Sequence, residues 1–265
     1  MKNKAILIIF SIFLISFVSA LSVDNNTVAL WNLDEGSGIN VIDATGNGND
    51  GTIEGGANWT TDSVSGFALE FDGVNDNVPI IKTSSLDVTN EMTLEASVKR
   101  KSNTDGMVFS RNGPYYLTVR NNLISGGVMT TTGWIEIFGV TPIEQNIWYN
   151  LKLTYDETSL NLYVNDVLDV SVPRTSSITH ASQRGYIGYG EPGQNQYFTG
   201  IIDEVRISNI ARTNSTEPPQ PTLEERVTAL EEKVNELENR TSILEVIVKK
   251  IAEFLGFPFE PTRNH

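Results

Sequence analysis

The stretch Leu160-Asn-Leu-Tyr-Val-Asn-Asp-Val-Leu-Asp-Val-Ser-Val172 decides the fold of this chain. Apolar residues alternate with polar ones on both sides of Asn165-Asp166. Two residues that tolerate positive φ between two such runs predict a type I′ hairpin turn. Just upstream, Asp156-Glu-Thr-Ser159 closes a second hairpin with Leu151 to Tyr155, so three consecutive antiparallel strands are expected. The same period of two runs from Val28 to Ile207, broken at roughly the 8 to 12 residue spacing of an all-β sandwich or barrel by Gly, Asn and Asp clusters. It predicts further strands at Val28 to Leu33, Phe67 to Phe71, Met92 to Lys99, Tyr115 to Arg120, Trp134 to Phe138, Trp148 to Tyr155, Tyr186 to Tyr189 and Thr199 to Ile207. No helical period interrupts this region.

After residue 212 the pattern changes. Thr213 to Thr222 carries Pro218, Pro219 and Pro221 and reads as a stiff, extended linker. From Leu223 to Leu255 a 4-3 repeat begins. Leu223, Leu230, Leu237, Leu244 and Ile251 occupy one seam position, and Val227, Val234, Thr241, Val248 and Leu255 the other. Arg226, Lys233 and Arg240 flank the seam on one side, and Glu224, Glu231, Glu238 and Glu245 on the other. In a parallel, in-register bundle each basic residue faces the Glu five places on, whereas an antiparallel pair sets like charges together. The pattern therefore predicts a parallel homodimer or homotrimer on a coiled-coil stalk of roughly 50 Å. A single amphipathic helix docked on its own domain is the alternative, but the narrow stripe with two charged shoulders suits a seam better.

At the other end, Lys2 and Lys4 precede an uncharged apolar run from Ala5 to Val18, and Val18-Ser19-Ala20 is a small-residue cleavage motif. Residues 1–20 read as a signal peptide, with an uncleaved anchor as the alternative, which places the protein outside the cell or on its surface. No integral membrane association is expected once the signal is removed. The expected organisation is a leader at 1–20, a β domain at 21–212, the linker at 213–222, the coiled coil at 223–256 and a tail at 257–265. Cysteine is absent, so disulfides, thiolate nucleophiles and Cys-ligated zinc are excluded. The formal net charge is -14, with no basic patch, which makes nucleic acid and anionic lipid poor partners and cations plausible ones. N-x-S/T sequons occur at Asn25, Asn58, Asn214 and Asn239.

Five segments taken in order carry a resemblance. They are Ala29-Leu-Trp-Asn-Leu-Asp-Glu-Gly-Ser-Gly38, Asp43-Ala-Thr-Gly-Asn-Gly-Asn-Asp-Gly51, Ala68-Leu-Glu-Phe-Asp-Gly73 with Asn75-Asp76, Leu160 to Leu168, and Gly200-Ile-Ile-Asp-Glu-Val-Arg-Ile207 with Ala211-Arg212. Together they resemble the motif set of LamG-like jelly-roll domains of the concanavalin A-like lectin/glucanase superfamily. Ser97 departs from it, standing where that family usually has tryptophan. The resemblance implies an all-β, two-sheet antiparallel jelly roll of about six or seven strands per sheet, with the first and last strands adjacent. It also implies calcium near the Asp43 loop, with Asp203 contributing from the last strand.

The residues themselves offer three chemistries. Asp43, Thr45, Asn47 and Glu54, with Gly48 at the turn, fall on calcium-loop spacing. The competing reading makes Asp43 and Asn47 turn formers bonded to their own backbone, and Asp203 a partner of Arg206 or a loop cap. For glycoside hydrolysis the nearest carboxylate strand is Glu70-Phe-Asp72-Gly-Val-Asn75, whose third acid is an amide; together with the lack of a motif around His180 or His265, this argues against an enzyme. For sugar stacking the candidates are Tyr115, Trp134 and Tyr197, while Trp31, Trp59 and Trp148 read as core. The expectation is a secreted, non-enzymatic binding protein that recognises a glycan or a surface protein in several copies. The competing classes are a structural spacer or assembly subunit of an envelope or fibre, and a glycan hydrolase.

Overall fold

Asn165 and Asp166 both take positive φ, 51° and 63°, as a type I′ turn requires. They join Ser159–Val164 to Val167–Pro173, and Ser159–Val164 pairs in turn with Trp148–Tyr155, so the three antiparallel strands form as predicted. The computed structural model describes residues 20–179, 184–190 and 196–213. The leader before Ala20, His180, the linker beyond Thr213, the predicted seam from Leu223 to Leu255 and the tail lie outside the described residues.

Sixteen strands follow in chain order: β1 Thr27–Trp31, β2 Asn40–Val41, β3 Gly51–Thr52, β4 Asn58–Thr60, β5 Ala68–Asp72, β6 Val78–Ile80, β7 Met92–Arg100, β8 Gly106–Arg111, β9 Tyr115–Arg120, β10 Leu123–Thr130, β11 Gly133–Pro142, β12 Trp148–Tyr155, β13 Ser159–Val164, β14 Val167–Pro173, β15 Gly185–Ile187 and β16 Thr199–Ser208. They form an all-β, two-sheet antiparallel sandwich. The first sheet has the order β14-β13-β12-β7-β16-β5-β4, with β1 also pairing β16, and the second has the order β11-β10-β9-β8-β15-β6-β3-β2. Each sheet therefore has eight strands where six or seven were expected, the surplus coming from strands of two or three residues.

Inward-facing residues of both sheets make one core. Trp31, from the first sheet, stacks on Phe109 at 5.7 Å, and Phe109 on Tyr115 at 6.3 Å, both from the second. The polar edges of these rings are satisfied where they end, Trp31 Nε1 donating to the Asn49 carbonyl and the Tyr115 hydroxyl to that of Leu86. Trp59 packs against this core from its rim, as expected. Trp148 does not. It is half-buried at the surface, its indole donating to Asp62 while the Lys99 ammonium lies 6.0 Å from its ring.

The adjacency of first and last strands holds, with an irregularity that matters below. β16 lies beside β7 along one edge; its other edge is shared, Thr199 to Ile202 pairing β5 and Val205 to Ser208 pairing β1. Where the partner changes, the register with β7 shifts between Asp203 and Arg206, and Glu204 is forced to a left-handed φ of 51°.

Candidate functional site

On β9 the period of two sends Tyr115, Leu117 and Val119 into the core and leaves Tyr116, Thr118 and Arg120 on the outer face. On β11 it sends Trp134, Glu136 and Phe138 to that same face, since Gly127 of β10 lies opposite both Tyr116 and Glu136. The Tyr116 and Trp134 rings stack at 5.3 Å with an interplanar angle of 19°. Gly127 makes this possible, because a Cβ there would come 2.7 Å from the Trp134 ring and 3.0 Å from that of Tyr116. Trp134 keeps 41% of its surface exposed, which is unusual for so large a ring and leaves an apolar platform facing solvent.

A polar cluster adjoins the platform. Glu136 Oε1 accepts from the Tyr116 hydroxyl, from Arg120 Nη1 at 2.8 Å and, more weakly, from Ser125 Oγ at 3.4 Å. Burial and then the Glu136 carboxylate raise the Tyr116 hydroxyl above the ordinary phenol range, so it stays a proton donor at physiological pH. Tyr116, Trp134, Arg120 and Glu136 line a groove of about 350 Å³, which also takes in Ser110, Met129 and Gln196. Beside Gln196 a second aromatic group follows, Tyr189 stacking on Tyr197 at 4.5 Å and meeting Tyr186 edge-on at 5.4 Å.

The three predicted stacking residues thus part company. Tyr115 is a core residue, 1% exposed, its ring packed on Phe109 and its hydroxyl donating to the Leu86 carbonyl. Its neighbour Tyr116 holds the position assigned to it. Trp134 is exposed and lines the groove. Tyr197 is half-buried against Tyr189 and does not line the groove. Tyr116, Arg120 and Glu136 escaped the sequence reading although the signal was there: Tyr116, Thr118 and Arg120 share the polar face of β9 by alternation.

The predicted calcium residues are engaged by protein donors and acceptors. Asp43 Oδ1 accepts from the N–H groups of Leu30 and Thr45 and from the Thr45 hydroxyl, and Oδ2 accepts from Asn49 N and Nδ2. Five donors leave this carboxylate little to offer a cation. Asn47 Nδ2 donates to the Val28 carbonyl. Asp203 lies elsewhere, fully buried, with Oδ2 accepting from Val64 N at 2.8 Å and Ser65 N at 3.3 Å. Asp43 and Asp203 have no hydrogen-bond partner in common among the described residues, and no group of three or more His, Asp or Glu side chains there is placed to hold a metal ion. The turn-forming reading of Asp43 and Asn47 accounts for their contacts. Asp203 pairs instead with the 64–65 loop, and Arg206 with Glu95.

Nor do the strand carboxylates around β5 assemble a hydrolytic pair. Glu70 forms an ion pair with Lys101 at 2.6 Å, Asp72 Oδ1 caps Val74 N, and Asp76 Oδ2 accepts from Asp72 N. Asp72 and Asp76 serve the turn after β5, and Glu70 ties β5 to the end of β7.

A profile of the Laminin_G_3 family, described as the concanavalin A-like lectin/glucanases superfamily, matches residues 72–216, more than half of the chain. The chain belongs to this superfamily. Its sandwich resembles the binding domain of Paraclostridial Mosquitocidal Protein 1 with a TM-score of 0.59 and 15% identity, over 70% of this chain and 49% of that one. It also resembles Domain 4 of AbnA, a GH43 extracellular arabinanase from Geobacillus stearothermophilus solved in complex with arabinotriose, with a TM-score of 0.55 and 21% identity, over 70% of this chain and 93% of that domain. The binding domain of botulinum neurotoxin serotype G gives 0.56 and 13%, over 70% and 48%. The chain spans about half the length of the toxin binding domains, and at these identities the likeness is one of fold. No curated protein matches.

Proposed function

We propose that this member of the superfamily is a non-catalytic carbohydrate-binding module that seats a sugar ring on the Tyr116 and Trp134 platform. The observation that carries the reading is the stacked pair of exposed Trp134 and half-buried Tyr116 beside the Glu136, Arg120 and Ser125 cluster. A pyranose or furanose ring presents C–H groups on its faces and hydroxyls at its rim. An aromatic face meets the first, and a carboxylate held beside a guanidinium supplies an acceptor and donors for the second. The arabinotriose complex of the AbnA domain and the ganglioside interaction named for a botulinum type C binding domain are consistent with sugar recognition by this fold.

The finer assignments belong to the same proposal. The Ala5 to Val18 leader sends the protein out of the cell or to its surface, and the Leu223 to Leu255 seam presents several copies of the module. Weak single sites then act together on a repetitive glycan surface, with gains of orders of magnitude.

The test is a glycan array carrying arabino-oligosaccharides and ganglioside headgroups, probed with the full chain and followed by calorimetry on the best ligand. Trp134→Ala and Tyr116→Ala should each lose at least about tenfold in affinity, about 1.4 kcal/mol, with little change in melting temperature. Unchanged binding in both variants, or hydrolysis of the bound oligosaccharide, overturns the reading.

A further inference from the structure

Residues 21 to 24 are bonded to the last strand and to the residues that follow it. The Leu21 backbone N–H donates to Glu204 Oε2 at 2.9 Å, and its carbonyl accepts from Asn32 Nδ2 at 3.3 Å. The Ser22 carbonyl accepts from Arg206 Nη1 at 3.2 Å, and both Asp24 oxygens accept from Arg212 Nη2, at 2.7 and 2.8 Å. The Leu21 side chain is buried, whereas Ala20 is exposed.

The acceptor is itself unusual. Glu204 is fully buried and sits in the left-handed conformation that the change of strand partner imposes on β16. Neighbouring Asp203 is fully buried as well. Glu204 Oε1 and Asp203 Oδ1 both lack a hydrogen-bond partner among the described residues. The cation two residues on, Arg206, is taken up by Glu95 at 2.8 Å. Asn32 Nδ2 adds one neutral donor to Glu204 at 3.0 Å. Two buried carboxylates facing neutral donors are costly, and a positive charge placed among them would offset that cost.

The sequence supplies one. Val18-Ser19-Ala20 is a small-residue processing motif, and its cleavage point falls on the nitrogen that already touches Glu204. We propose that the mature chain begins at Leu21 and that its α-ammonium group docks on Glu204 as a buried ion pair, so that leader removal completes the fold. In the step itself a leader peptidase adds water across the Ala20–Leu21 peptide bond. The hydroxyl goes to the Ala20 carbonyl carbon, the C–N bond breaks, and the leader leaves as a carboxylate while the Leu21 nitrogen gains protons to become the ammonium. One N–H of the new group keeps the contact with Glu204 Oε2, and the other two are available to the carboxylate oxygens that lack partners. A single backbone donor becomes three donors with a full charge.

Three measurements on the full-length chain test this. First, mass spectrometry of the protein secreted with its own leader should place the N-terminus at Leu21; any other start overturns the proposal. Second, chains released from a fusion to begin at Leu21 or at Ala20 should differ, the former melting several degrees higher, with the gap closed in Glu204→Gln. Equal melting temperatures overturn it. Third, should Glu204→Gln fail to fold, the Leu21 α-amine of the parent should react with an acylating reagent at least tenfold more slowly than that of the urea-unfolded chain. An amine acylated at the unfolded rate overturns the proposal. So does calcium raising the Ala20 chain to the melting temperature of the Leu21 chain, which would give the acidic corner to a metal ion instead.

Discussion

An alanine at position 127 would disturb the proposed recognition face without changing the identity of any side chain that forms it. Its Cβ would lie 2.7 Å from Trp134 Cζ2, 2.9 Å from the Ile135 carbonyl oxygen and 3.0 Å from Tyr116 Cε1. Carbon atoms rest at about 3.5–4.0 Å, so the indole must retreat by about 1 Å and the Tyr116 ring by somewhat less. The Ile135 carbonyl belongs to the β10–β11 ladder and yields less readily. Overpacking of this kind costs about 1–3 kcal/mol. In a domain of this size each kcal/mol lowers the melting temperature by roughly 2–4 °C, so a fall of about 2–12 °C is expected in a chain that still folds. Separating the rings breaks up the platform, and glycan affinity should drop at least about tenfold. Gly126→Ala provides the comparison. Its Cβ would meet the Leu153 side chain at 2.9 Å on the core side, away from the rings, so it should lower stability and spare affinity. Thermal melts and calorimetry on the three proteins decide the matter. A Gly127→Ala protein that binds like the parent, or a Gly126→Ala protein that loses as much affinity, would refute the placement of the site.

Other expectations follow from the same geometry. Tyr115→Ala should cost about 3–5 kcal/mol by emptying a core position, measured by chemical denaturation, whereas Trp134→Ala should stay within about 1 kcal/mol. Burial, opposed by backbone donors and reinforced by neighbouring carboxylates, raises Asp203 to about 7 and Glu204 to about 8. The folded state therefore favours their protonated forms; the stabilisation this gives is complete below their unfolded values and is lost as pH rises through about 7 and 8. A chain that retains Ala20 should accordingly melt lower at pH 9 than at pH 5, by calorimetry, and Glu204→Gln should flatten the dependence. Because the Asp43 carboxylate is occupied by five protein donors, chelation of calcium should leave the melting temperature unchanged. A calcium-dependent rise abolished by Asp203→Ala would place an ion at Asp203 after all.

The sequence made the central strands legible where side chains alternate and turns carry a special residue. β7, β9, β12, β13, β14 and β16 fall where the period of two put them, and Asn165-Asp166 and Glu157, with its φ of 63°, turn the chain as Asp156 to Ser159 suggested. β10 escaped because Gly126 and Gly127 sit at its centre, and glycine in mid-strand reads as a break. The reason for them is tertiary: Leu153 covers the first and the Trp134 and Tyr116 rings cross over the second. β8 was missed for want of alternation, since all six of its residues are buried and a bulge interrupts its pairing with β9. Tyr115 and Tyr116 are adjacent and chemically identical, so the choice between them rested on phase, and phase is set by Leu117 and Val119. The acidic corner was beyond reach. The motif Ile-Asp-Glu-Val was recognised, but a bulge that turns Glu204 towards Leu21, 183 residues away, depends on which strands flank β16.

The proposed recognition site and the acidic corner stand on different kinds of backbone in this domain, and that decides how freely each can change. The groove stands on regular strands, where every second residue faces out and its neighbours carry the core. Trp134, Glu136 and Phe138 can be exchanged without altering Ile135 or Ile137 beneath them. The acidic corner stands on the one place where β16 hands over from β5 to β1 while still pairing β7. A substitution there bears on the contacts of β16 with three strands at once, and on the anchoring of Leu21. On the proposed reading, ligand preference is therefore free to drift on the face of the second sheet, while the last strand, with its bulge and its buried carboxylates, is held by its three neighbours.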